Sequence, residues 1–185
     1  MVIIKVLLIG AVALSLIGIC IRFWVHFEVE VGNDDSTYNG GLFSVRNYEV
    51  SSEIELDAYA WDCLAAANCD LDDDTTVCKT FEPLYKSGRL YLQLEVANLI
   101  VLFCVLAYLF NGIFFKKDIS HPILVHSLPH LAWIIHLVAI ICWAVVAEVK
   151  FEMGSCDNGS DTDPDEKWDV CISLGPVLTI IQLVL

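Results

Sequence analysis

Tyr91, Glu95 and Asn98 are spaced i, i+4 and i+7 within a long apolar run, which sets them on one face of a helix. A carboxylate in such a run is costly unless it faces a bundle interior or reaches water. Two readings stand for Glu95: an ion pair with Arg22, at similar depth at the outer end of the first apolar run, or contact with headgroup water. Cysteines supply a second chemistry. Cys63, Cys69, Cys78, Cys156 and Cys171 lie in or beside polar segments, whereas Cys20, Cys104 and Cys142 lie within apolar runs, where cysteine behaves as a small hydrophobe. That partition fits disulfide formation in an oxidising compartment. Cys156 and Cys171 are the only pair open to their segment and are expected to bridge; closing about 15 residues is worth roughly 3 kcal/mol in the chain-entropy model. Of the other three, Cys69 and Cys78 are the best match, which leaves Cys63 free or bridged to another subunit.

Carboxylates alternate at Asp70, Asp72 and Asp74 and again at Asp161, Asp163 and Asp165. Such runs either converge on a hard cation, with calcium as the candidate, or form a solvated face; neither has the glycine and closing glutamate of an EF-hand loop. His126 and His130 are four apart, but two histidines are an incomplete metal site, and interfacial or packing roles compete with ligation. The chain has no CxxC, GxSxG, HExxH or phosphate-binding glycine loop, so a non-enzymatic protein is expected, with no cofactor beyond calcium. A membrane thiol oxidoreductase is an alternative, although the cysteine pairs here are 6 to 15 residues apart rather than closely spaced.

The elements that must position these groups are mostly apolar. Of 185 residues 57% are hydrophobic, with mean hydropathy +0.64; soluble domains hold about 45–50% apolar residues. Four runs stand out, at 2–21, 91–115, 123–147 and 171–185, and about 20 helical residues span a hydrocarbon core of ~30 Å. Residues 2–21 could be a signal peptide, but Ala11-Val12-Ala13 lies inside the run rather than after it, which favours a retained helix. Fifteen residues from Cys171 rise only about 22 Å, so the fourth helix is expected to continue past Leu185. Pro129 removes a backbone donor from the third helix and is expected to kink it. Val25-His26-Phe27-Glu28-Val29-Glu30-Val31 alternates strictly, the pattern of a half-buried strand.

Charge sets the topology. Residues 25–90 carry 14 acidic and 4 basic side chains, residues 148–170 carry 8 and 2, and the 116–122 connection holds Lys116 and Lys117. Basic flanks stay cytoplasmic, so this connection and both termini are expected inside, with loops 22–90 and 148–170 extracellular at the plasma membrane. Asn158-Gly159-Ser160 is a glycosylation acceptor triplet in the second of them. The net charge of −14 argues against nucleic acid as a partner, and the acidic loops should enrich cations nearby. The expected fold is an α-helical membrane protein: a four-helix transmembrane bundle in the lipid bilayer with a small disulfide-stapled extracellular β-lobe.

Trp24 ends the first helix, Gly41-Leu42-Phe43 follows, Cys69 and Cys78 are nine apart, and Arg89 precedes the second helix. In this the chain resembles the claudin superfamily (claudins, the peripheral-myelin and epithelial membrane proteins, and channel-auxiliary relatives). There a Trp-bearing strand, a Gly-Leu-Trp triplet, two cysteines eight to ten apart and a basic residue occur in that order. Phe43 stands where the triplet has Trp, and the cysteines begin twenty residues after Phe43 rather than three. The resemblance implies lateral self-association into a scaffold or junction-like array, or docking on a larger multi-span membrane protein as an auxiliary subunit of a channel or receptor.

Overall fold

The computed structural model describes residues 2–21, 24–31, 34–42, 44–47, 53–55, 76–114, 122–151, 156–158 and 169–184. Among these, four helices and a small open sheet make one mixed α/β domain. The helices are α1 (Val2–Cys20), α2 (Thr76–Phe114), α3 (Pro122–Ala147) and α4 (Leu174–Gln182). The strands are β1 (Val25–Val31), β2 (Asp34–Gly40), β3 (Ser44–Asn47), β4 (Glu53–Glu55), β5 (Asp157–Asn158) and β6 (Cys171–Ile172). Helix α1 packs on α2 and α4, and α3 packs on α2 and α4, closing a ring.

β1 occupies the residues that the alternation marks. Val25 and Phe27 are buried while His26 and Glu28 are half-buried, and Phe27 stacks on Tyr38 with ring centroids 5.0 Å apart. β1 runs antiparallel to β2 over its whole length, from Val25 opposite Gly40 to Val31 opposite Asp34. β3 and β4 follow beyond β2. The other side of β1 takes two short strands from the second loop, β5 in parallel and β6 antiparallel. Strands from both loops thus share one central strand.

Helix α2 begins fifteen residues before the apolar run at 91–115, so the last part of the polar segment ahead of that run is helical. The added turns are amphipathic rather than apolar: Thr80, Leu84, Ser87 and Tyr91 are buried at three- and four-residue steps, Lys86 and Arg89 face out, and Lys86 pairs with Glu82 one turn back. Such a stripe is a helix signal in its own right. The fourth run needs a correction: Cys171 and Ile172 pair with β1 rather than open a helix, and α4 has nine residues. Among the described residues, two stretches are long and apolar enough to cross a membrane, Glu82–Phe110 and Ser127–Ala147; α1 contributes the shorter Val6–Cys20. Pro83 and Pro129 both lie within continuous helices.

Helix α3 ends on Glu148, a non-glycine residue with φ of 53°. The Val149 N–H returns to the Ala144 carbonyl at 3.4 Å, and Val149 and Ala144 are both buried. This is a Schellman closure with its hydrophobic contact, at a position that glycine fills with less strain.

Two apolar clusters fill the bundle. One, beneath the sheet, gathers Trp24, Phe27, Leu42, Tyr91 and Trp143 around the Cys156–Cys171 disulfide. The other is aliphatic, built on Leu8, Val12, Leu102, Val105, Leu106 and Leu109.

Candidate functional site

Between these clusters every helix turns a polar side chain inward: Ser15 from α1, Glu95 and Asn98 from α2, His136 from α3, Thr179 and Gln182 from α4, all buried. Glu95 is the hub. The Asn98 amide donates to its Oε1 at 2.8 Å, and His136 Nδ1 lies 2.7 Å from its Oε2. On the far side of the ring, His136 Nε2 lies 3.0 Å from the main-chain oxygen of Thr179. Gln182 Nε2 donates to Ser15 Oγ at 2.8 Å, and Asn98 Nδ2 stands 3.4 Å from the same oxygen. The Thr179 hydroxyl turns back to the Pro176 carbonyl at 2.8 Å. A carbonyl oxygen only accepts, so the Thr179 contact is a hydrogen bond when Nε2 carries a proton, and the Glu95 contact is one when a proton lies between Nδ1 and the carboxylate. The seam ties all four helices at one level and sets how far each can slide along its neighbours. Tyr91 Oη and Gln182 Oε1 are buried beside it without a partner among the described residues.

A cavity of about 260 Å³ opens from the seam toward the N-terminal half of α1, with Leu8, Leu102, Trp133 and His130 among its walls and Asn98, His136 and Gln182 at its polar end. Among the described residues no three His, Cys, Asp or Glu side chains group closely enough to hold a metal ion.

A second constellation joins the bundle to the sheet. The Trp24 indole N–H donates to the Gly18 carbonyl at 2.8 Å, one of the terminal carbonyls that a helix leaves without an internal partner. Its ring meets Tyr91 and Trp143 edge to face, at centroid distances of 4.6 and 4.8 Å. Its main chain bonds to Gly40 and to Ser173. One residue therefore caps α1, starts the sheet and anchors the entry to α4. Leu42 is buried, and its main chain lies so close to α2 that a Cβ on Gly88 would collide with the Leu42 carbonyl. Arg89 is exposed, with its guanidinium 5.6 Å from the centre of the Tyr85 ring and its Nη1 donating to the Tyr85 hydroxyl at 3.0 Å.

Of the residues singled out in the sequence, Glu95 and Asn98 meet in the seam, and Tyr91 packs on Trp24 just above it. Cys156 and Cys171 are bridged, with Cα atoms 5.8 Å apart, while Cys20, Cys104 and Cys142 are free thiols. His130 lines the cavity and is exposed. Cys78 lies in the first turn of α2, His126 in α3 and Asn158 in β5, with side chains outside the described set. Arg22, Phe43, Cys63, Cys69 and the six aspartates of the alternating runs lie outside the described residues. His136, Ser15, Thr179 and Gln182 are the seam members that spacing does not flag. Their common signal is a polar residue within an apolar run, one or two per helix.

No protein-family model matches the chain, and no curated protein matches it in sequence.

Proposed function

We propose that this chain is a non-enzymatic, claudin-like membrane protein of the cell surface that assembles laterally with copies of itself through its sheet-bearing lobe. The observation that carries the membrane part is an inversion of polarity. Ile9, Ile17, Ile100, Phe103, Ile141 and Val145 face outward and are exposed, while the polar side chains point into the bundle; that arrangement suits hydrocarbon as the solvent. At about 58 Å, α2 exceeds a hydrocarbon thickness of ~30 Å. Its Thr76–Leu90 portion then stands above the bilayer, where Leu42 and the sheet rest on it. Lys116 and Lys117 support a cytoplasmic side for the opposite end of the bundle and both termini, since basic flanks stay inside.

The claudin-like reading rests on Trp24, Gly41-Leu42 and Arg89. The first caps α1, the second lies against Gly88 of α2, and the third follows Gly88 directly, so the motif positions cluster where lobe and bundle join. Self-assembly is favoured by the open sheet, whose outer strands pair on one side only among the described residues and so present an edge to a partner strand, and by Cys63 as an odd thiol in the first loop. Bound calcium on the acidic loops would soften repulsion between lobes.

The test is the mass and composition of the complex extracted from native membrane in mild detergent with thiols blocked. A ladder of this chain alone, partly collapsing on reduction, is expected. A fixed ratio to one large multi-span protein would replace self-assembly with an auxiliary-subunit role, for which the acidic loops would lie beside a cation path.

A further inference from the structure

We propose that Glu95 and His136 form a binding site for a single proton, and that its occupancy latches α4 to the rest of the bundle. The site rests on the geometry of the seam. His136 stands between two acceptors, the Glu95 carboxylate at 2.7 Å and the Thr179 main-chain oxygen at 3.0 Å. An imidazole with one N–H serves one of them, and serving both takes the second proton. With that proton the pair is neutral overall and each of its polar contacts is made. Removal of the proton leaves a buried carboxylate and one imidazole donor for two acceptors. The anionic carboxylate is the stronger acceptor, so the N–H stays with Glu95, which also keeps the Asn98 amide, and the Thr179 carbonyl loses its donor. Addition of another puts a carboxylic acid against an N–H and leaves a net positive charge inside the bundle. The neutral, one-proton state is therefore the tightest, and α4 is the element released on the alkaline side, because it is held to α3 through the Thr179 carbonyl.

The surroundings isolate this proton. Glu95 and His136 are the only buried residues of the Asp, Glu, His, Lys and Arg types among the described residues. α1 presents Ser15, α2 presents Asn98 and the Tyr91 hydroxyl, and α4 presents Thr179 and Gln182, none of them charged near neutrality. On α3, His130 faces the same cavity as His136. That cavity, reaching the seam at Asn98, His136 and Gln182, gives the proton its route.

The experiment uses the full chain in phosphatidylcholine nanodiscs with ¹⁵N-labelled histidine. Both His136 ring nitrogens should carry protons at pH 7, with the assignment made by loss of the signals in His136→Gln. Hydrogen-exchange protection across residues 174–182, corrected for intrinsic rate, should fall about tenfold between pH 7 and pH 10, the scale of one hydrogen bond. Glu95→Gln should hold that protection flat: its amide N–H donates to Nδ1 while neutral His136 keeps its Nε2 proton on Thr179. A bare Nε2 at pH 7 overturns the proposal. So does protection in the unmodified chain that ignores pH, or a Glu95→Gln profile that tracks it. If Glu95→Gln does not fold, the ring nitrogens and the pH profile of the unmodified chain decide the matter.

Discussion

At one end of the bundle Trp24, Tyr91 and Trp143 meet edge to face under a sheet, with a disulfide beside them. At the other, Leu8, Val12, Leu102, Val105 and Leu106 pack without an aromatic ring among the buried members. The first cluster draws on α1, α2, α3 and both loops, so each contact closes a long stretch of chain. The second is helix against helix, and its aliphatic side chains fill volume without fixing direction. Specificity is thus concentrated at the aromatic end, and the polar seam carries it into the rest of the bundle by fixing the level of each helix. The aromatic end should be brittle and the aliphatic end forgiving.

The strongest way to break that contrast is Trp24→Ala against Leu106→Ala. Removing Trp24 uncaps α1 and empties the centre of the aromatic cluster; a loss of about 4 kcal/mol is expected, against about 2 kcal/mol for Leu106→Ala. Thermal unfolding in detergent checks it, and equal losses would show that the two ends do not differ. Replacing Cys156 and Cys171 together by alanine should lower stability by about 3 kcal/mol. The effect should vanish when the unmodified chain is compared under strong reductant. Gly88→Ala pushes the Leu42 main chain off α2 and should cost about 2 kcal/mol. Its control is Gly10→Ala, where an added Cβ meets no atom within 4 Å, and which should be neutral or slightly stabilising. The smallest effect runs the other way: Glu148→Gly relieves a left-handed residue at the end of α3 and should raise the melting temperature by a degree or two, about 0.5 kcal/mol.

The parts of the fold with a strong local period were legible. Seven alternating residues define β1, and the 2–21 run gives α1 nearly to the residue. Helix α2 was half legible, because hydropathy sees its apolar portion and passes over Thr76–Leu90, whose signal is a buried stripe rather than a high mean. Cys171 was misplaced at the head of a helix for a related reason: its apolar neighbours look like a span, while the pairing that holds it comes from β1, far away in sequence. In the seam, Glu95 and Asn98 declare themselves by sharing a helical face. His136 does not, since its partner is 41 residues away and no local spacing connects them. His126 and His130 have that local spacing; His130 lines the cavity rather than the seam, and the side chain of His126 lies outside the described residues.

The position of β1 also dictates an order of events during synthesis. Its partner β2 emerges immediately after it, but β5 is made only after α2 and α3, and β6 only when the ribosome has passed Ile172. Until then that side of β1 is incomplete, Trp24 lacks the Ser173 main chain, and Cys156 lacks its native partner Cys171. Such late, long-range closure is slow and exposes an unpaired strand to its neighbours. The nascent lobe is therefore open to strand exchange between chains until the second loop closes on β1.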